Sequence, residues 1–136
     1  SIPVVGAMDV QIKDVADNSI TLGAPLNTNI NYEGTAFGGS LNTVCILSCY
    51  LLVHHLLKSK DISFTSLVIQ DSQIKNILPV KSDFSATSIV TPKSESMMLK
   101  MLERKNQGRI EVKSSVRTED SPEKLAEFSA RFVITK

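Results

Sequence analysis

The sequence has no tryptophan and only 5% aromatic residues, and its basic residues are scattered rather than gathered into a block. A surface that stacks bases interleaves aromatic rings with cations, so nucleic acid is not expected as a partner. Cysteine is equally sparse. Cys45 and Cys49 lie four residues apart inside one apolar run. That spacing suits no disulfide within a helix, and no Cys or His cluster elsewhere completes a metal site. Neither a metal nor another cofactor is therefore expected. Both thiols read as small buried hydrophobes of a reducing compartment.

No basic stretch followed by an apolar core opens the chain, so no signal peptide is read and a cytoplasmic location is expected. A start at Ser1 rather than Met is expected from processing or from a boundary cut in a longer chain. Repeats, linkers and low-complexity tracts are missing. At 136 residues and a formal net charge of +1, the chain reads as a single domain over 1–136 with a real core.

What is present is concentrated in one stretch. Asn29-Ile30-Asn31-Tyr32-Glu33-Gly34-Thr35-Ala36-Phe37-Gly38-Gly39-Ser40 holds three glycines and two asparagines and reads as a tight loop. It runs straight into Leu41–Leu57, where Leu, Val, Ile, Cys and Tyr leave almost no polar face. Such a helix must be buried nearly all round. As a membrane span it is marginal in length and interrupted by Asn42, Thr43, Ser48, His54 and His55, so no membrane is expected. A Gly-Gly-Ser start leaves free N–H groups at the helix N-terminus, where a developing negative charge is stabilised.

The rest of the chain supplies strands. A short helical turn over Ile2–Met8 precedes a half-buried strand through Val10, Ile12 and Val15. Asp17-Asn18 signals a hairpin back through Ile20, Leu22 and Ala24. Phe64–Ile77 is predicted as a long strand with Leu67, Ile69 and Asp71 on one face. Phe84–Val90 follows as a strand, then a helix over Ser94–Asn106 with core residues Met97, Met98, Met101 and Leu102, stopped by Gly108. Arg109–Thr118 is a strand, Ser121-Pro122 a turn, and Leu125–Ile134 the last strand. The order fits an α+β domain, one helix packed on one face of an antiparallel sheet.

Four segments, in order and across nearly the whole chain, carry a resemblance. They are Asn31-x-x-Gly34-Thr35-x-Phe37-Gly38-Gly39-Ser40-Leu41, Ile69-Gln70-Asp71-Ser72-x-Ile74, Leu78-Pro79-Val80-x-x-Asp83-Phe84, and Glu127-Phe128-Ser129-x-Arg131-Phe132-Val133. Together they resemble the putative thioesterase family of the hotdog-fold superfamily, a domain also found behind bacterial N-acetyltransferase domains. The resemblance implies an antiparallel sheet wrapped around a long central helix. It also implies a homodimer or larger homo-oligomer joined edge to edge with active sites at the interface. The implied substrate is a thioester of an acyl-CoA or an acyl-carrier protein.

Thioester hydrolysis needs an activated water, donors for the oxyanion and an acyl slot. The N–H groups of Phe37, Gly38 and Gly39 are the candidate donors, by helix-start geometry and by resemblance; the bland reading is a glycine turn admitting the helix. Asp71, in an otherwise apolar strand, is the candidate general base if burial raises its pKa; alternatively it faces solvent or bonds to backbone. Asn31 could orient the water or the carbonyl, although Asn27, Asn29 and Asn31 together also read as ordinary loop residues. Ser40 and Thr43 could line the site, Ser40 also serving as the helix cap. His54 and His55 lie too far along the helix for a Ser-His-Asp arrangement. Phe37, Leu41 and the Met97–Met101 segment are candidate slot walls; Lys75, Lys81 and Arg131 read first as scattered surface cations and second as contacts for nucleotide phosphates. Many hotdog thioesterases have His where Phe37 stands and an acidic residue on the central helix; this helix has none from Ser40 to Leu57.

Overall fold

The computed structural model describes residues 2–136. Six strands form one antiparallel sheet: β1 (Gln11–Ala16), β2 (Ser19–Ala24), β3 (Ser66–Asn76), β4 (Phe84–Ile89), β5 (Gln107–Thr118) and β6 (Ser121–Thr135). Their order across the sheet is β1-β2-β4-β5-β6-β3, which leaves β1 and β3 as its edges. Three helices complete the chain, α1 (Pro3–Met8), α2 (Gly38–Ser59) and α3 (Pro92–Lys105). The 22-residue α2 crosses the inner face of the sheet and touches five of the strands.

Alternation along the inner strands explains this arrangement. In β5 the even-numbered residues from Gly108 to Val116 are buried, and in β6 Phe128, Ala130, Phe132 and Ile134 are. A strand with that period has one face for the core and one for water. Against it α2 packs Leu41, Val44, Cys45, Cys49, Leu52, Val53, Leu56 and Leu57. By length and apolarity α2 could cross a membrane, but most of its central residues are buried in this core. Three serines pin it further. Ser48 Oγ is 2.9 Å from Ser114 Oγ on β5, and Ser88 Oγ on β4 donates to the carbonyls of Ser48 and Ile20. Buried hydroxyls so paired fix the helix against sliding on the sheet.

Several expectations need correction. The six residues of β1 are all exposed, because α2 does not reach that edge. The β5–β6 turn is Glu119-Asp120, and Pro122 lies within β6 where the ladder breaks between Val116 and Thr118. Proline is tolerated at such an irregularity because no ladder bond is lost. The third helix starts at Pro92, with Thr91 Oγ1 accepting from the Ser94 amide, and ends at Asn106 in a left-handed conformation. Gly108 is not its stop but its seat: a Cβ there would lie 2.9 Å from Leu102 Cγ. Met98 and Leu102 are core, whereas Met97 is exposed.

Two flanks are incomplete. The helix α2 is not buried all round: Ile46, Leu47, Tyr50 and Leu51 stay half-buried on one side. Beside them the edge strand β3 exposes Val68 and Ile69, and the segment after it exposes Ile77 and Leu78.

Candidate active site

The loop before α2 is built by its own side chains. Asn29 is only 3% exposed, and its Nδ2 donates to the carbonyls of Met8 and Pro25, tying α1 to the loop. Its Oδ1 has no hydrogen-bond partner among the described residues. Asn31 Oδ1 accepts from the amides of Glu33 and Thr35 while its Nδ2 donates to Thr35 Oγ1. Gly34, at φ 78°, closes that turn where a side chain would be strained. The Ala36 amide bonds the Val80 carbonyl, which fastens the loop to the segment ahead of β4. Asn31 is thus chiefly the loop's own clasp, and Asn29, which reads from sequence as an ordinary loop residue, is its anchor.

The start of α2 is uncapped. Phe37 holds the N-cap position with φ −63° and ψ 131°, and no side chain accepts from the first turn. The Phe37 amide is already committed, donating to the Asn29 carbonyl at 2.7 Å, so it is not the oxyanion donor expected of it. The amides of Ser40 and Leu41 both donate to the Phe37 carbonyl. Those of Gly38 and Gly39 find no acceptor among the described residues. Both glycines are exposed, and nothing lies within 4 Å of a Cβ built on Gly38. A Cβ on Gly39 would collide with the Phe37 ring, so the ring folds directly over the helix start. Two adjacent unclaimed donors thus stand at the positive end of a 22-residue helix, beside an aromatic ring, where negative charge is favoured.

The other candidates fall differently. Ser40 and Leu41 are buried; Ser40 does not cap the helix and Leu41 points into the core rather than a slot. Thr43 is partly exposed one turn in, and its hydroxyl donates to the Gly39 carbonyl at 2.8 Å. The third helix sits on the start of β5, where Gln107 pairs with Thr135. The α2 N-terminus lies at the opposite end of the strands, reached from β2 after Ala24, which pairs with Phe84. Within one chain, therefore, the Met97–Met101 segment does not wall the site.

Asp71 requires the largest correction. Ile69 pairs with Phe132 and Asp71 with Arg131, so Gln70 is an extra residue in β3. This bulge shifts the alternation by one. Leu67 and Ile69 face α2 with Ile134 and Phe132, but Asp71 turns to the outer face. There its side chain is 65% exposed and 3.7 Å from the Arg131 guanidinium. It is neither buried nor beside the helix start.

The cysteines behave as read. Burial pushes the Cys45 thiol from its ordinary 9.0 up to about 12, a hydrogen bond to Ser114 opposing this weakly. Cys49 is driven up by burial and by Cys45 beside it. Both should resist iodoacetamide in the native protein and react at once in denaturant, read by mass spectrometry. Because the folded values are raised, their contribution to stability is complete below pH 9. It is lost as pH climbs toward 12, where the unfolded chain ionises first.

Over residues 1–136 the sequence matches the family described as Putative thioesterase (yiiD_Cterm). The chain belongs to this family. A comparison with curated proteins returned no match. Among solved structures, the chain is similar to a protein of unknown function from Chlorobaculum tepidum (24% identity, 99% of this chain and 87% of that one, TM-score 0.91). The putative thioesterase from Shewanella oneidensis is similar too (22% identity, 100% and 90% covered, TM-score 0.88). So is a mutant of the phenylacetic acid degradation protein PaaI from Thermus thermophilus (14%, 99% and 100%, TM-score 0.71). At these identities the likeness establishes the fold, an antiparallel sheet around a central helix of hotdog type.

Proposed function

We propose that this family member is a cytoplasmic homodimer that hydrolyses an acyl thioester of coenzyme A or of an acyl-carrier protein at the start of α2. The observation carrying this reading is the pair of unclaimed amides at Gly38 and Gly39 beside the Phe37 ring. Water adds to the thioester carbonyl, forming a C–O bond and placing negative charge on the carbonyl oxygen. Both amide N–H groups donate hydrogen bonds to that oxygen, which costs no reorganisation because the helix already holds them in place. The C–S bond then breaks, and the departing thiolate takes up the proton released by the water.

Water is held by a hydroxyl group in this scheme. Thr43 Oγ1 gives its proton to the Gly39 carbonyl and keeps lone pairs for the water. Asp71 is not the base. The acyl chain lies on the open shelf formed by the half-buried flank of α2 (Ile46, Leu47, Tyr50) and the inner residues of β3, Ile69 and Ile74. A second copy closes that shelf by pairing along β3, whose free edge and exposed apolar residues otherwise invite aggregation.

A panel of acyl-CoA and acyl-carrier thioesters, followed by thiol release, tests this. Turnover is expected on at least one ester and is expected to persist in Asp71→Ala. Collapse of Asp71→Ala with its fold intact would return the base role to that carboxylate. A second reading, a binding module without turnover, is favoured by the absence of any acidic residue in the first turn of α2. Acyl-CoA bound but never released as thiol would decide for it.

A further inference from the structure

The outer face of the sheet, which the proposed chemistry does not use, is not uniformly polar. A depression of about 450 Å³ crosses β3, β6, β5 and β4 there. Strand register fixes its floor: Lys75 opposes Glu127, which opposes Ser115, which opposes Thr87, and in the next row Gln73, Ser129, Lys113 and Ile89 follow one another. Ser115 and Ser129 make the hollow on the two central strands, with Glu127 and Lys113 paired beside them and further cations around. Lys75, Lys113, Arg117 and Lys124 line it against a single carboxylate, Glu127, whereas the whole chain carries only +1. That carboxylate leans toward Lys124 at 3.9 Å. The Arg117 guanidinium is held in place, donating to Ser115 Oγ and to the Pro122 carbonyl.

A fixed guanidinium, two further lysines and a hydroxyl floor form a receptor for phosphate oxygens, and the volume suits a nucleotide. The depression also lies at the right end of the sheet. Lys124 adjoins Leu125, whose carbonyl accepts from the amides of Ile77 and Leu78, and Val80 beyond them holds Ala36 next to Phe37. From Lys75 to Val80 the chain spans at most about 18 Å, and Val80 is bonded to the loop that leads into α2.

We propose that this depression binds the phosphorylated nucleotide of coenzyme A, so that the thioester carrier is a nucleotide and not a protein. The proposal rests on the thioesterase reading for its purpose, but the site can be tested without turnover. Calorimetry with adenosine 3′,5′-bisphosphate at low salt should show binding. The variant Lys75→Gln/Lys113→Gln should weaken that binding at least about tenfold, and Lys100→Gln on α3 should not. With acyl-CoA the double variant should raise KM and leave kcat alone, while an acyl-pantetheine lacking the nucleotide should be handled equally by both proteins.

No bisphosphate binding, or binding indifferent to the double variant, would overturn the proposal. So would an acyl-carrier protein turned over in preference to acyl-CoA, or a variant that changes oligomer size instead of affinity. Bisphosphate bound at these lysines with no thioester cleaved would uphold the site and sink the hydrolase reading.

Discussion

Gly38→Pro should fold normally and lose about 10²–10³ in turnover, the effect of removing one oxyanion donor. Proline belongs at the first position of a helix, where its missing N–H breaks no intrahelical bond. The residue before it must be extended, and Phe37 already is, at φ −63° and ψ 131°. A Cβ at Gly38 would meet nothing within 4 Å, and the position is exposed. Circular dichroism and melting should therefore match the native protein while thiol release falls. Unchanged turnover would mean that the amide at Gly38 meets no developing charge.

Ile69→Lys should convert the proposed dimer to a monomer, weakening association at least about 100-fold, and abolish turnover with it. Ile69 is 38% exposed on an edge strand of the single chain, so a lysine there costs the monomer little. In the proposed dimer the same position is covered by the partner's β3 and would hold an unpaired charge out of water. Sedimentation across a concentration series reads the association directly. A dimer that survives Ile69→Lys would place the interface elsewhere.

Large-scale order was legible in the sequence because it rests on repeated signals. The apolar run from Leu41 to Leu57, the alternation in Arg109–Thr118 and the Asp17-Asn18 hairpin each involve many residues or a specific turn dipeptide. What stayed hidden depends on single residues. One extra residue at Gln70 moves Asp71 from the α2 side of the sheet to the outer side, and nothing in its composition marks a bulge. Gly108 suggested a helix end because glycine commonly stands there; its reason is the close approach of α3, a tertiary fact. The run of free amides was read one residue too wide, since only the fold shows the Phe37 amide engaged by Asn29. Burial of α2 was overestimated for a related reason. Sequence periodicity does not say how many chains supply the covering surface.

The decisive measurement is thiol release from acyl-CoA by the native protein and by Gly38→Pro, side by side at equal protein concentration. The account predicts turnover in the first and a loss of about 10²–10³ in the second, with identical melting curves. Equal rates in the two proteins would contradict it, because hydrolysis would then proceed without the helix start on which the proposed chemistry depends.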